Sequence, residues 1–174
     1  MNIPDMQAEV YDWAVVKGWE PDPNRTFADE CALIHSELSE ALEAYRVRGL
    51  SSYTDPTGKP GDVQSELADV FIRLLHYSAC GRFELKDPTN RELMTLMRDR
   101  SMPFGEWIVD MHFQISRAYG MSTYRLETMI LHLNNCLRLV YTFCMLNGID
   151  LAAEYRRKMA YNYTRSYRHG NKAM

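Results

Sequence analysis

The chain has 174 residues, of which 46% are hydrophobic and 25% are charged, a composition typical of one globular domain with a sizeable core. Its formal net charge of -3 lacks the strong basic excess that binding to duplex DNA or to an anionic membrane requires. The N-terminus has neither the cationic start nor the apolar core of a signal peptide, and no apolar run approaches the ~20 residues of a membrane span, so we expect a cytoplasmic protein.

Helical periodicity runs through most of the chain, and no segment shows the alternation of a β-strand or the turn signal of a hairpin. A polar connector from Lys86 to Pro103 is expected to contain a short helical piece around Arg91 to Met97. The chain is therefore predicted to be all-α. The longer helices are predicted at about 5–17, 26–48, 62–80, 104–119, 123–146 and 150–167.

The helix predicted from Thr26 to Arg48 carries two kinds of glutamate. Glu37 and Glu40 fall on the flank of its apolar stripe, where burial begins, whereas Glu43 points to the opposite, solvated side. Carboxylates are rarely placed at such a flank unless a cation meets them. The stripe itself consists of Ile34, Leu38, Ala41 and Tyr45.

The helix predicted from Asp62 to Cys80 has the same arrangement, with Glu66 and Asp69 flanking its apolar stripe. The connector before it is long enough for the two helices to pack antiparallel with their stripes together. The flanking acids would then face each other, and such a cluster needs a divalent cation to be tolerable. Oxygen-only ligands predict Mg²⁺ or Mn²⁺, an ion that binds phosphate oxygens and lowers the pKa of a bound water.

A structural interpretation of each acidic pair stands beside this one. An E-x-x-E pair alone is usually a solvated helix face, and Asp69 has Arg73 four residues on, within reach of a surface ion pair. Two pairs on adjacent helices, both on the buried flank, favour the metal site. His35 is interpreted as a hydrogen-bonded helix residue, and the four cysteines as reduced core residues. These cysteines are Cys31, Cys80, Cys136 and Cys144.

The sequence also contains a degenerate internal repeat. FADECALIHSELSEA, from Phe27, aligns with FGEWIVDMHFQISRA, from Phe104, and the segment from Glu66 aligns with the segment from His132. The apolar positions agree between the copies, and His35 aligns with His112. All four acids are lost in the second copy, where a purely structural role would have preserved them. Their replacements are Gln114, Arg117, His132 and Asn135.

The C-terminal segment KMAYNYTRSYRHGNK presents a cationic, hydrogen-bonding face. Lys158, Asn162 and Arg165 are spaced by four and three residues, so they share one side of a helix. This face has the right sign for a triphosphate, although a solvated basic terminus is the common alternative. Arg168, His169 and Lys172 follow and belong more weakly to the same prediction.

The motifs ELSE at 37–40 and ELAD at 66–69 resemble the E-x-x-E…E-x-x-D signature of the MazG-like, all-α nucleoside triphosphate pyrophosphatases. The resemblance extends from Thr26 to Lys172, with Ser36 at a position where many relatives have Glu. It implies hydrolysis of a (deoxy)nucleoside triphosphate to the monophosphate and pyrophosphate. It further implies an Mg²⁺ site at Glu37, Glu40, Glu66 and Asp69, with phosphates bound by Lys158, Asn162 and Arg165.

On this basis we predict one domain, 1–174, built as a bundle of two related helical hairpins plus a C-terminal helix. The first hairpin (26–85) would bind the metal through Glu37 and Glu40, which also serve catalysis, and through Glu66 and Asp69. The second hairpin (104–151) is degenerate, and the last helix (152–172) would bind phosphates. Self-association, most simply as a homodimer, is compatible with this arrangement. A different metal-dependent phosphohydrolase and a non-catalytic nucleotide sensor or interaction module on the same fold are the alternatives.

Overall fold

The computed structural model describes residues 2–81, 83–89 and 102–171. Within these ranges no strand is present, and the only extended pairing is an isolated bridge between Thr54 and Pro60. The protein is therefore all-α, as predicted. The short helical piece expected around Arg91 to Met97 lies outside the described residues. The helices are α1 (Ile3–Val16), α2 (Phe27–Arg48), α3 (Val63–Cys80), α4 (Phe104–Met121), α5 (Leu126–Leu146), α6 (Leu151–Thr164) and the single turn α7 (Arg168–Asn171).

Helix α3 occupies the centre of the bundle. It packs against α2, α1, α6 and α5, and α2 and α5 each also pack against α4. Ion pairs between Glu37 and Arg73, and between Glu30 and His76, show that α2 and α3 run antiparallel. The apolar residues of α3 are consequently buried almost all round the helix, and the ring of Phe71, for example, contacts Tyr155 of α6.

The start of α2 shows why this helix begins where the sequence predicts. The Thr26 hydroxyl accepts a hydrogen bond from the Asp29 backbone N–H, and the Asp29 carboxylate accepts one from the Thr26 N–H at 2.8 Å. This reciprocal capping box satisfies backbone donors that have no partner inside the helix. Ile34, Leu38 and Ala41 of the predicted stripe are fully buried.

Helix α5 is long and apolar enough, by length and composition, to cross a membrane. An apolar helix of this length was not expected from the sequence. Its most apolar window is 56% buried inside the bundle against α3 and α4, as in the core helix of a soluble protein, so the resemblance to a membrane span is weak.

Two expectations about local structure are wrong. Cys80 is exposed at the C-terminal end of α3, whereas the other three cysteines are buried as predicted. Helix α6 ends at Thr164 and not near Tyr167, so Arg165 follows the helix in an extended conformation. The ammonium of Lys17 donates to the backbone carbonyls of Tyr163, at 2.8 Å, and Arg165, at 2.6 Å. These contacts bind the carbonyls that would otherwise continue the helix.

Asp62 connects the end of the α2–α3 connector to α6. Its fully buried carboxylate caps α3 through the Ser65 N–H at 2.9 Å and accepts hydrogen bonds from the Tyr53 N–H and the Arg157 guanidinium, each at 2.7 Å. Burial alone would raise the pKa of Asp62, but the hydrogen bonds from Arg157, Tyr53 and Ser65 outweigh it and lower the pKa. The ionised carboxylate thus holds three segments together.

We expect Asp62→Asn to lower the free energy of unfolding by about 1.5–3 kcal/mol, because the cap survives while charge-assisted hydrogen bonds are lost. Asp150→Asn is the matched control: Asp150 caps α6 from an exposed position, and Asn caps equally well. Urea unfolding measures both. Because the folded pKa of Asp62 is depressed, its contribution exists above the unfolded value of ~3.9 and disappears as pH falls through the lower folded value. If the difference in unfolding free energy between wild type and Asp62→Asn stayed constant below about pH 4, this account would be contradicted.

Candidate functional site: a carboxylate cluster beside a charged cavity

A continuous polar stripe runs along the side of α3 that faces α2. Its residues follow one another at steps of three or four, which places them on one face of the helix. Opposite them, α2 contributes Glu30, Glu37 and Glu40. The two helices thus form a charged seam in an otherwise apolar core. The stripe on α3 consists of Glu66, Asp69, Arg73, His76 and Cys80.

At one end of this seam the structure brings Glu37, Glu40 and Glu66 together. One carboxylate oxygen of each lies within 4.8 Å of the others. Glu66 and Glu37 are buried, with 3% and 8% of their surface exposed, whereas Glu40 opens to solvent. Burial raises the pKa of Glu66 to about 7. The nearby carboxylates of Asp69, Glu40 and Glu37 also raise this pKa, whereas the Lys158 ammonium lowers it. The cluster therefore concentrates negative charge where water is scarce.

Asp69, the fourth predicted acid, pairs instead with Lys158. The Lys158 ammonium lies 2.8 Å from Asp69 Oδ2 and 3.6 Å from Glu66 Oε2, and it donates to the Pro60 carbonyl at 3.3 Å. Lys158 is 2% exposed, because it lies on the buried face of α6, which packs on α3 and also contains Leu151, Tyr155 and Met159. Burial would lower the pKa of Lys158, but the neighbouring acids raise it. Lys158 is thus a counter-ion of the acids, and its burial excludes for this residue the alternative of a solvated basic terminus.

Arg73 forms its ion pair with α2. Its guanidinium donates to Glu37 Oε1 through Nε at 3.0 Å and through Nη2 at 2.9 Å, across the two helices. The ion pair between Asp69 and Arg73 along α3, which the sequence left open, is replaced by this contact. Along α3, the acidic residues Glu66 and Asp69 are therefore followed by the cationic Arg73.

A cavity of about 280 Å³ lies along this seam, and α1, α2, α3 and α6 all contribute to its wall. Its lining includes three carboxylates, five cationic side chains and several rings, so it offers both charge signs and an apolar surface. Such a cavity is close to the lower size limit of pockets for small organic ligands. The charged lining residues are Glu37, Glu40, Asp69, Arg25, Lys59, Arg73, Lys158 and Arg165.

The predicted phosphate ligands all reach this cavity, although not from one helical face. Lys158 and Asn162 are buried on α6, and Arg165 is partly exposed just beyond the helix end. The Arg165 guanidinium lies 5.9 Å from the centre of the Tyr161 ring, and burial lowers its pKa. Arg168 donates to the Gly18 carbonyl at 2.7 Å, His169 lines the cavity, and Lys172 lies outside the described residues.

The donors of the cluster fit a hard divalent cation. Glu37, Glu40 and Glu66 supply only oxygen, which is the ligand type that Mg²⁺ and Mn²⁺ prefer. Glu66 Oε2 is buried and accepts no hydrogen bond within the part of the chain that the structure describes, although the Lys158 ammonium lies 3.6 Å away. A buried carboxylate oxygen without a hydrogen bond is costly unless a cation completes its environment.

The corresponding positions on α4 and α5 are held together by neutral hydrogen bonds. Gln114 Oε1 lies 2.8 Å from His132 Nδ1 and accepts a bond from the Asn135 amide at 3.4 Å. Arg117 is exposed and lies apart from the cavity. His35 is a hydrogen-bonded helix residue, as predicted, with its Nδ1 lying 2.7 Å from Nδ1 of His112. This second helix pair therefore lacks the charge of the first.

Several residues of the site were missed by sequence reasoning. Tyr161 lies three residues after Lys158, so helical spacing could have placed it beside the predicted phosphate ligands. Lys59, Arg25 and Trp19 reach the cavity from connectors, where no periodic signal exists. Comparisons of the chain with protein family models, curated proteins and solved structures find no match. Function is therefore inferred from the geometry of the site.

We expect Lys158→Met to reduce the free energy of unfolding by about 3–5 kcal/mol at neutral pH, because it leaves buried carboxylates without their counter-charge. Lys59→Met is the control: Lys59 makes a long, solvent-exposed contact of 3.9 Å with Glu40, worth about 0–1 kcal/mol. Chemical denaturation of both variants at low salt measures the difference. Equal losses of unfolding free energy in the two variants would show that the buried ion pair stabilises the protein no more than the exposed one.

Proposed function

We propose that the protein is a metal-dependent hydrolase that cleaves a nucleoside triphosphate to the monophosphate and pyrophosphate. The observation that carries the proposal is the convergence of Glu37, Glu40 and Glu66 beside a cavity. Two of these acids, Glu37 and Glu40, line that cavity together with cationic side chains and rings. A dication and a polyphosphate carry opposite charges, and this cavity offers partners for both. The resemblance of the two acidic motifs to MazG-like pyrophosphatases points to the same reaction.

Glu37, Glu40 and Glu66 would hold Mg²⁺, with Mn²⁺ as the alternative ion. Asp69 would join them by exchanging its contact with Lys158, 2.8 Å away, for the cation. When bound, the ion supplies charge neutralisation on phosphate oxygens and lowers the pKa of water. Glu40, the exposed member of the cluster, is the carboxylate placed to accept a proton from an attacking water.

The cationic part of the cavity would bind the phosphates. Asn162 and Arg165 line it from α6 and the following residue, and Lys158 becomes available to a phosphate oxygen once a dication takes over its role among the acids. Tyr161 and Trp19 offer ring faces to a nucleobase. No His or Cys nucleophile is required for this reaction.

We further propose that the bundle consists of two related hairpins, α2–α3 and α4–α5. Two contacts support this arrangement. His35 and His112, which align in the two copies, stack on each other with ring centres 4.9 Å apart, as expected for residues near a local twofold axis. Gln114 contacts His132, and their counterparts Glu37 and Glu66 meet in the acidic cluster.

A non-catalytic nucleotide sensor on the same fold is the second candidate, and one observation favours it. Lys158 already neutralises Asp69 and approaches Glu66, so part of the acidic cluster is stable without a dication. In a sensor the same cavity would bind the nucleotide, and no phosphate bond would be broken.

We predict Mg²⁺-dependent release of pyrophosphate from at least one member of a panel of nucleoside and deoxynucleoside triphosphates. Glu40→Gln and Asp69→Asn should each reduce kcat/KM by at least about 10–100-fold, because each removes a charge that positions the ion. Glu43→Gln is the control, since Glu43 lies on the exposed side of α2 in a surface pair with Arg46. Activity that survives both cavity substitutions would overturn the metal assignment. Nucleotide binding without turnover of any triphosphate would establish the sensor.

Direct metal binding provides a test that does not depend on turnover. We expect Mn²⁺ to bind the wild-type protein without nucleotide, with its free signal in electron paramagnetic resonance decreasing on binding. Glu66→Gln should weaken this binding by at least about 10-fold, because it removes the most buried carboxylate of the cluster. Glu43→Gln should leave it unchanged. Equal Mn²⁺ affinity in the two variants would exclude the cluster as the binding site.

A further inference from the structure

A second cluster of potential metal ligands lies at the opposite end of the α2–α3 seam. Glu20, in the connector between α1 and α2, meets His76 and Cys80 from the last turns of α3. One ligand atom of each lies within 4.8 Å of the others. The set combines oxygen, nitrogen and sulfur, so it differs in chemistry from the all-oxygen cluster at Glu66.

The distances within this cluster match the edges of a zinc coordination tetrahedron. His76 Nε2 lies 3.3 Å from Glu20 Oε1 and 3.6 Å from Cys80 Sγ. Ligands at the ~2.0–2.3 Å bond lengths of zinc, arranged tetrahedrally, are roughly 3.3–3.8 Å apart. Two of the three distances therefore match this range, and the third, between Glu20 and Cys80, is at most 4.8 Å.

Glu30 supplies an independent observation on the other side of the imidazole. Its carboxylate Oε1 lies 3.7 Å from His76 Nδ1, so His76 stands between Glu30 and the ligand cluster. Histidines that bind zinc commonly direct their second nitrogen to a carboxylate, which fixes the tautomer and the ring orientation. Glu30 is 3% exposed and also pairs with Arg25. Its Oε2 is buried and, among the described residues, accepts no hydrogen bond.

We propose that Glu20, His76 and Cys80 bind a zinc ion, with Glu30 as the positioning residue for His76. Zinc suits this set because it accepts carboxylate, imidazole and thiolate ligands, whereas Mg²⁺ does not favour nitrogen and sulfur. Three protein ligands leave one position for water, and the exposed side of Cys80 gives access from solvent. Binding releases the thiol proton of Cys80, since the thiolate is the ligand.

The position of the site indicates what the ion does. Glu20 adjoins Trp19, and Trp19 lines the cavity together with His76. Zinc would therefore fasten the α1–α2 connector to the end of α3 and fix this wall of the cavity. The proposal is independent of the reaction at the acidic cluster, which lies more than two helical turns away along α3 at Glu66.

The test is a titration of the full chain with Co²⁺ in the presence of excess Mg²⁺, which occupies the all-oxygen cluster. We expect one equivalent of Co²⁺ to produce a thiolate-to-cobalt charge-transfer band in the near ultraviolet and Zn²⁺ to displace it. Cys80→Ser should abolish the band, whereas Cys144→Ser, a buried cysteine far from the cluster in sequence, should retain it. His76→Gln should raise the Kd of Co²⁺ by at least about 10-fold.

Alkylation of Cys80 gives a second measurement on the unmodified sequence. Cys80 is the exposed member of the four free cysteines, so iodoacetamide should modify it first, and Zn²⁺ should slow that reaction at least about 10-fold. Circular dichroism establishes that each variant is folded. A missing charge-transfer band, a band that persists in Cys80→Ser, or an alkylation rate unaffected by Zn²⁺ would each overturn the proposal.

Discussion

The buried ammonium of Lys158 is the contact on which the arrangement of α2, α3 and α6 depends. It lies 2.8 Å from Asp69 and 3.6 Å from Glu66, at a place where the carboxylates of Glu37 and Glu40 also converge. Moving such charges out of water costs several kcal/mol per ion, and only close, well-oriented partners offset that cost. A rotation or sliding of α6 that displaced Lys158 would leave the acids unpaired, so this contact also determines the register of the three helices.

The polar seam extends this constraint along the whole length of α3. Polar residues of α3 have partners on the neighbouring helix α2: Arg73 pairs with Glu37, and His76 Nδ1 lies 3.7 Å from Glu30 Oε1. Because the two ends of the seam carry different ligand atoms, the two proposed sites would select different cations. Oxygen ligands around Glu66 favour a hard ion, while the imidazole and thiol at the other end favour zinc.

The all-α class and most helix positions were predictable from sequence, because helical periodicity and caps are local properties. The capping box of Thr26 and the buried positions of Ile34 and Leu38 follow from spacing alone. The partners of charged residues were not predictable in the same way. Arg73 pairs with Glu37 on α2 and not with Asp69 on its own helix. Lys17, which directly follows α1, binds the Tyr163 carbonyl at the end of α6, 146 residues later in the chain. Such contacts depend on how helices pack, which no local pattern encodes.

Helices α4 and α5 show that this packing does not itself require buried charge. Gln114, His132 and Asn135 join the two helices through neutral hydrogen bonds, and the pair packs closely. The α2–α3 pair meets the same packing requirement with Glu37, Glu66 and Asp69. Burial raises the pKa of Glu66 and of Asp69, and the neighbouring carboxylates add to this effect. Neutral hydrogen-bonded residues would be less costly there, because the net cost of burying paired charges commonly exceeds that of burying neutral groups. This comparison of the two helix pairs supports the proposed metal site, because the stability of the bundle alone would favour neutral residues at these positions.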